Sequence, residues 1–309
     1  MSGFQRFGYG AAVLLLASSA FHLLVYAVDG GGWDGPVSWR KPILFGFAFG
    51  VTLISLVWIA ARSGLGRRQG GWLVGALSVA SVLETGLIDL QRWRGVPSHL
   101  NFGTPFDAAV SAALAVVAIV GLIPAIVVVT VLAWRRFDGA PSMRLAVRSG
   151  LAVLLLTLVS GAALIANGRA IGLPPQARDL SIFGVAGQLK VPHAVTLHAV
   201  QVLPVLAGVL ALSAWSEVVR VRLVAVAALG YGGVVLVSVL QAAAGLAPAD
   251  LTVVSGVVLV VSVAALAGAG VAAVGRLSRR RVVAAVRVAW ARLSGVPAGV
   301  RGLPRRSHR

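Results

Sequence analysis

The chain has 309 residues, 58% hydrophobic and 12% charged, which leaves too little polar surface to solvate a water-soluble globule of that size. Its formal net charge of +18 does not read as a nucleic-acid-binding stripe: ten of the 27 basic residues lie at or beyond Arg276, and most of the others separate apolar runs, as in cytoplasmic membrane loops. The absence of cysteine excludes disulfides, thiolate nucleophiles and cysteine-ligated zinc or iron–sulfur centres.

Apolar stretches long enough to cross about 30 Å of hydrocarbon at 1.5 Å per residue fall near 9–28, 43–61, 72–91, 105–134, 149–167, 192–214, 223–246 and 251–275. They predict an all-α, polytopic transmembrane helical bundle of about eight spans over residues 1–276, followed by a basic tail, 277–309. The first span imitates a secretory signal, with Arg6 ahead of the apolar run and Ala17-Ser18-Ser19-Ala20 resembling a cleavage site. Because the apolar run continues from Phe21 to Val28, we read it as uncleaved. Gly30-Gly31-Gly32 follows in a loop, without the spacing or the Lys-Ser/Thr of a phosphate loop.

The second span opens with Trp39-Arg40-Lys41-Pro42, and the third carries Glu84, Asp89 and Gln91 before Arg92. Asp89, three residues before Arg92, is expected to form an ordinary ion pair with it. Glu84 has no basic residue within a helical turn, so it must find a partner on another helix, reach water or keep its proton; an intramembrane acid of this kind marks function by default. Gln91, seven residues on, shares its face. The run from Pro97 to Asp107, which includes His99 and Asn101, is distinctive, but no known activity attaches to it. At its end Thr104-Pro105-Phe106-Asp107 reads as an N-cap, a first-turn proline and an acid at the third position, so Asp107 is equally a cap and a site candidate.

In the sixth span, opened by Lys190-Val191-Pro192, His198 and Gln201 share a face, while His193 is rotated away from His198. The openings of the second and sixth spans resemble each other, which hints at two parallel four-helix halves. Asp250 reads as a plain N-cap of the eighth span. In the tail, Val282, Val283, Val286, Trp290 and Leu293 oppose Arg280, Arg281, Arg287 and Arg292, predicting an amphipathic helix on the anionic inner leaflet, with disorder beyond Pro297.

Placing the N-terminus inside puts 20 basic residues on the inner side and seven on the outer, so both termini are expected to be cytoplasmic in a multi-pass protein of the cell membrane. Trp58, Trp72, Trp134 and Trp215 then mark inner ends of spans and Trp33, Trp39 and Trp93 outer ones, as interfacial anchors do. The polar side chains are distributed the same way. Seven of nine acids, four of five histidines and Gln91, Asn101, Asn167, Gln176, Gln188, Gln201 and Gln241 fall in the outer half, which implies a wet pocket opening outward. The segments Trp33–Pro42, Glu84–Asp107 and Asn167–Gln201 would surround it.

The leading expectation is a membrane-embedded enzyme or binding protein for a lipophilic, isoprenoid- or quinone-like ligand. Glu84 serves as its proton donor or acceptor, with Asp89 and Asp107 as further acids. Arg40, Lys41, Trp39, Arg92 and Asn101 would bind the polar head, and His198 with Gln201 would set the protonation of Glu84. One version is olefin protonation in a membrane-bound terpene cyclase. A b-type haem or quinone redox protein is the alternative, with His22 and His198 or His193 as iron ligands. A proton-coupled transporter ranks last, because the inner half is uniformly apolar. The bilayer and a lipophilic small molecule are the expected partners, and no nucleic acid.

Overall fold

The computed structural model describes residues 1–171 and 181–294. Among the described residues, eight helices are long and apolar enough to span a membrane: α1 (Gly3–Asp29), α2 (Arg40–Ala60), α3 (Arg67–Trp93), α4 (Pro105–Arg136), α5 (Pro141–Ile171), α6 (Lys190–Leu212), α7 (Glu217–Ala243) and α8 (Val253–Gly275). A shorter helix, α9 (Arg279–Ser294), follows. An even number of crossings brings both ends of the chain to one side, called inner here after the distribution of basic residues. Asn167 and Gln188 are described, but Gln176, Arg178 and Asp179 lie outside the described residues, as does the tail beyond Ser294.

The first and seventh helices begin nearly two turns ahead of their apolar stretches, at polar residues that cap them. Ser2 and Gln5 form a capping box at α1, with Ser2 N–H donating to Gln5 Oε1 at 2.7 Å. Thr104, Ser216 and Thr252 accept the corresponding backbone N–H at α4, α7 and α8. Thr252, not Asp250, is therefore the N-cap of α8; the Asp250 carbonyl instead accepts from Gln241 Nε2 at 2.7 Å. Within α4, Val117–Leu122 widens into a π-helical turn. Pro124 follows at once and lacks the N–H that the Val120 carbonyl would need. The turn lays Gly121 on α3, where a Cβ would stand 2.8 Å from Ala80 Cβ.

Close packing rests on small residues, as is common where lipid supplies no hydrophobic drive between helices. A Cβ on Gly46 of α2 would lie 2.8 Å from the Leu15 carbonyl of α1, and one on Gly150 of α5 would lie 2.9 Å from Val200 Cα of α6. Helices α1–α4 form one group and α5–α8 another, with the same pattern of neighbours in each: first with second and third, second with third, third with fourth. The groups meet mainly where α2 faces α6 and α4 faces α5.

The two groups are also in register. A constant interval of 150 positions separates Arg40 from Lys190, Pro42 from Pro192, Arg67 from Glu217, Gln91 from Gln241 and Gly95 from Gly245. α3 and α7 are both 27 residues long and leave the membrane through the same turn. Gly95 and Gly245 have φ of 70° and 69°, the left-handed conformation glycine takes most readily. In each turn the next residue, Val96 or Leu246, donates its N–H to the Gln91 or Gln241 carbonyl at 3.1 Å. The hint carried by two span openings thus extends through the second and third helices of each group.

Two features were not foreseen. A two-residue antiparallel pair, β1 (Ile182–Phe183) with β2 (Gly187–Gln188), lies over the end of α7, where Ala186 N–H donates to the Gly245 carbonyl at 2.9 Å. At the opposite end the start of α9 is tied to α6: Ser278 N–H donates to the Leu212 carbonyl at 3.0 Å and Arg281 Nη1 to the Ser213 carbonyl at 2.9 Å.

Candidate functional site

Polar side chains from α1, α2, α3 and the loop into α4 gather at the outer end of the first half, in three groups. The first surrounds Asp107, which is 3% exposed. Its Oδ1 accepts from Arg94 Nη1 at 2.5 Å and from Gln91 Nε2 at 3.0 Å, and its Oδ2 accepts from Thr104 Oγ1 at 2.8 Å. Its backbone N–H donates to Thr104 Oγ1 at 3.1 Å. The cap is therefore present, but the carboxylate binds the cap's hydroxyl, not its backbone, and both oxygens are used. Asn101 is likewise consumed in structure: Nδ2 donates to the Pro97 carbonyl at 3.2 Å, Oδ1 accepts from Gly103 N–H at 3.1 Å, and its backbone pairs with Ser111. These bonds hold the loop from Val96 to Thr104 down onto the helices, past Leu100 at φ 53°.

The second group centres on Glu84, buried at 6% exposure. Glu84 Oε1 lies 3.8 Å from His99 Nε2, while Oε2 is buried without a hydrogen-bond partner. His99 Nδ1 is 2.9 Å from Ser98 Oγ, which accepts from Lys41 Nζ at 3.3 Å. Lys41 donating to Ser98 sends the serine proton to Nδ1 and leaves the Nε2–H of His99 toward Glu84. Lys41, Ser98, His99 and Glu84 thus line up from the head of α2 into the bundle, the last step at 3.8 Å being longer than a hydrogen bond, with Phe45 beside His99 at 6.2 Å between ring centres. Gln91 shares the Glu84 face as its seven-residue spacing requires, but its side chain serves Asp107 and Arg94.

The third group lies in the seam between α1 and α3. Trp93 Nε1 donates to His22 Nε2 at 3.0 Å, His22 Nδ1 donates to the Ser18 carbonyl at 2.8 Å, and Ser18 Oγ donates to Asp89 Oδ2 at 3.0 Å. These directions fix His22 as the neutral Nδ1–H tautomer with both nitrogens engaged. An iron at His22 would have to displace the Trp93 indole or the Ser18 carbonyl. The expected Asp89–Arg92 pair does not form. Arg92 turns away, its guanidinium carbon 3.7 Å from the centre of the Trp39 ring and Nη2 3.7 Å from Asp29 Oδ2. Trp39 is itself buried and donates to Asp29 at 2.6 Å, so it is a packing element and not an interfacial anchor. Arg40 pairs with exposed Asp34 at 2.6 Å.

The second half contributes little to these groups. Gln201 contacts Thr52 Oγ1 at 3.0 Å, bridging α6 to α2. His198 lies against Phe47, and His193 Nδ1 is 3.1 Å from Ser160 Oγ. Asn167 donates to the Ile182 carbonyl. The imidazole facing Glu84 is thus that of His99, not His198. Among the described residues, no three His, Asp or Glu side chains converge as metal ligands. Two shallow hollows among them, of about 360 and 520 Å³, are lined by Ser2, Phe4, Phe7 and Arg67 and by Arg279, Val283 and Arg287. Neither borders Glu84.

The internal repeat separates the positions both halves share from the polar groups of the first half alone. Positions kept in both halves, such as Pro42 and Pro192, Gln91 and Gln241, or Gly95 and Gly245, build turns and helix ends. At the positions of Trp39, Lys41, Glu84, Thr85, Asp89 and Arg92 the second half has Leu189, Val191, Val234, Val235, Val239 and Ala242. The same helices therefore pack without the polar groups, and packing alone does not account for them. No protein family model matches the chain, and neither a curated protein nor a solved structure does.

Proposed function

We propose that the first half of this membrane-spanning bundle is an acid–base site for a lipophilic ligand of isoprenoid or quinone type, with Glu84 as the group that exchanges a proton with it. The observation that carries this reading is the state of the Glu84 carboxyl: Oε1 faces His99 while Oε2 is buried with no partner. Leaving such an atom unsatisfied in lipid costs roughly 1–3 kcal/mol, and a valine occupies the equivalent position of the other half without that cost. A ligand oxygen or double bond presented to Oε2 would relieve it.

In this reading Glu84 donates or accepts the proton at Oε2, and His99 balances its charge through Nε2–H. Ser98 and Lys41 hold the imidazole and link it to the outer surface, and the Lys41 ammonium draws a polar head group toward the head of α2. Phe45 and Phe49, stacked at 6.0 Å, offer an apolar wall for the chain of the ligand. Decylubiquinone and farnesol, each added to detergent-purified protein, are the probes. The reading expects at least one of them to raise the thermal unfolding midpoint of the wild type and to lose most of that effect with Glu84→Gln. No shift with either probe, or an equal shift in the variant, would refute it.

A further inference from the structure

Among the described residues, Asp89 has no fixed counter-charge. Its position on α3 faces α1, where Ser18 Oγ supplies its one hydrogen bond, to Oδ2; Oδ1 is buried without a partner. His22 Nδ1 stands 4.0 Å away, but its other nitrogen accepts the Trp93 N–H, so the ring beside Asp89 is neutral. Arg92 has turned to Trp39 and Asp29. One helical turn below Asp89 on the same face is Thr85, 2% exposed, whose Oγ1 also lacks a partner. Side chains four apart on a helix stand one above the other, so the free hydroxyl oxygen and the free carboxylate oxygen share one seam, opposite the Ser18 hydroxyl.

We propose that this seam binds a small monovalent cation of sodium type, with Asp89 Oδ1, Thr85 Oγ1 and Ser18 Oγ among its ligands. The donor set is all oxygen and hard, which favours an alkali or alkaline-earth ion over a transition metal. A single carboxylate balances one positive charge and not two. The repeat supports a ligand over a packing role, because α7 has valine at both positions, Val235 and Val239. This site is separate from the Glu84 carboxyl and does not depend on its proposed chemistry.

The test is the thermal unfolding midpoint of the detergent-purified full chain in NaCl, KCl or choline chloride at one ionic strength. Sodium is expected to raise the midpoint with saturation, and choline is not. Thr85→Val, which keeps the side-chain shape, should need about tenfold more sodium for the half-maximal effect, as the loss of one oxygen ligand implies. Asp89→Asn should abolish the response, and Glu84→Gln should keep it. Equal midpoints in the three salts would overturn the proposal, as would a sodium response that Thr85→Val leaves unchanged.

Discussion

Gly46 brings α2 close to the backbone of α1, and Gly46→Ala tests that contact. The added Cβ would stand 2.8 Å from the Leu15 carbonyl oxygen, 3.0 Å from Ser19 Cβ and 3.1 Å from Ser19 N. Two of these atoms are backbone and cannot rotate aside, so α1 and α2 must separate. Overpacking of this kind costs about 1–3 kcal/mol. The separation also stretches the 2.7 Å hydrogen bond from Ser19 Oγ to the Ile43 carbonyl, for about 1 kcal/mol more. Alanine returns about 1 kcal/mol through its higher helix propensity, so the net loss is about 1–3 kcal/mol. The assay is unfolding of the detergent-purified protein by added sodium dodecyl sulfate, followed by tryptophan fluorescence. Gly10→Ala is the control, since a Cβ there meets nothing within 4 Å; it should be neutral or slightly stabilising. If Gly46→Ala unfolds no earlier than Gly10→Ala, the α1–α2 contact described here is wrong.

Asp107→Asn should lower the thermal midpoint, because an amide cannot accept from Arg94, Gln91 and Thr104 together, yet the folded fraction should keep the reactivity of Glu84. Loss of that reactivity at full stability would return Asp107 to the chemistry. Gly95→Ala and Gly245→Ala should destabilise by similar amounts, about 1–2 kcal/mol each, since both impose a left-handed conformation on a residue with a Cβ; a cost at one site alone, measured by the same detergent titration, would contradict the equivalence of the two turns. Trp93→Phe removes the donor to His22 Nε2 and should shift the imidazole resonances of His22 in a nuclear magnetic resonance spectrum while leaving those of His193 in place.

The spans were legible because length and hydropathy alone specify a membrane helix, and the N-caps were legible where Thr, Pro and Asp fall in order, as at Thr104. Glu84 could be singled out because an acid without a local base is costly in lipid. Its partner could not be, since His99 reaches it through a loop whose fold depends on Asn101 and Ser111. The Asp89–Arg92 pair failed for a physical reason: three-residue spacing permits it, but the Trp39 face and Asp29 offer Arg92 a better place, and neither is local in sequence. Helical spacing gives the face that His198 and Gln201 share but not the helix that face meets. The repeat stayed faint because two apolar helices can exchange nearly every residue and keep their packing, so the turn glycine, the glutamine four residues before it and the span-opening proline mark the register.

The most direct test of the account is the reaction of the detergent-purified protein with dicyclohexylcarbodiimide, an apolar reagent that attacks carboxyls able to hold a proton away from water, with the adducts mapped by mass spectrometry. Proton exchange at Glu84 requires an adduct on Glu84, absent from Asp107 and slowed by whichever of decylubiquinone or farnesol stabilises the protein. An unlabelled Glu84 beside a labelled Asp107 would contradict it.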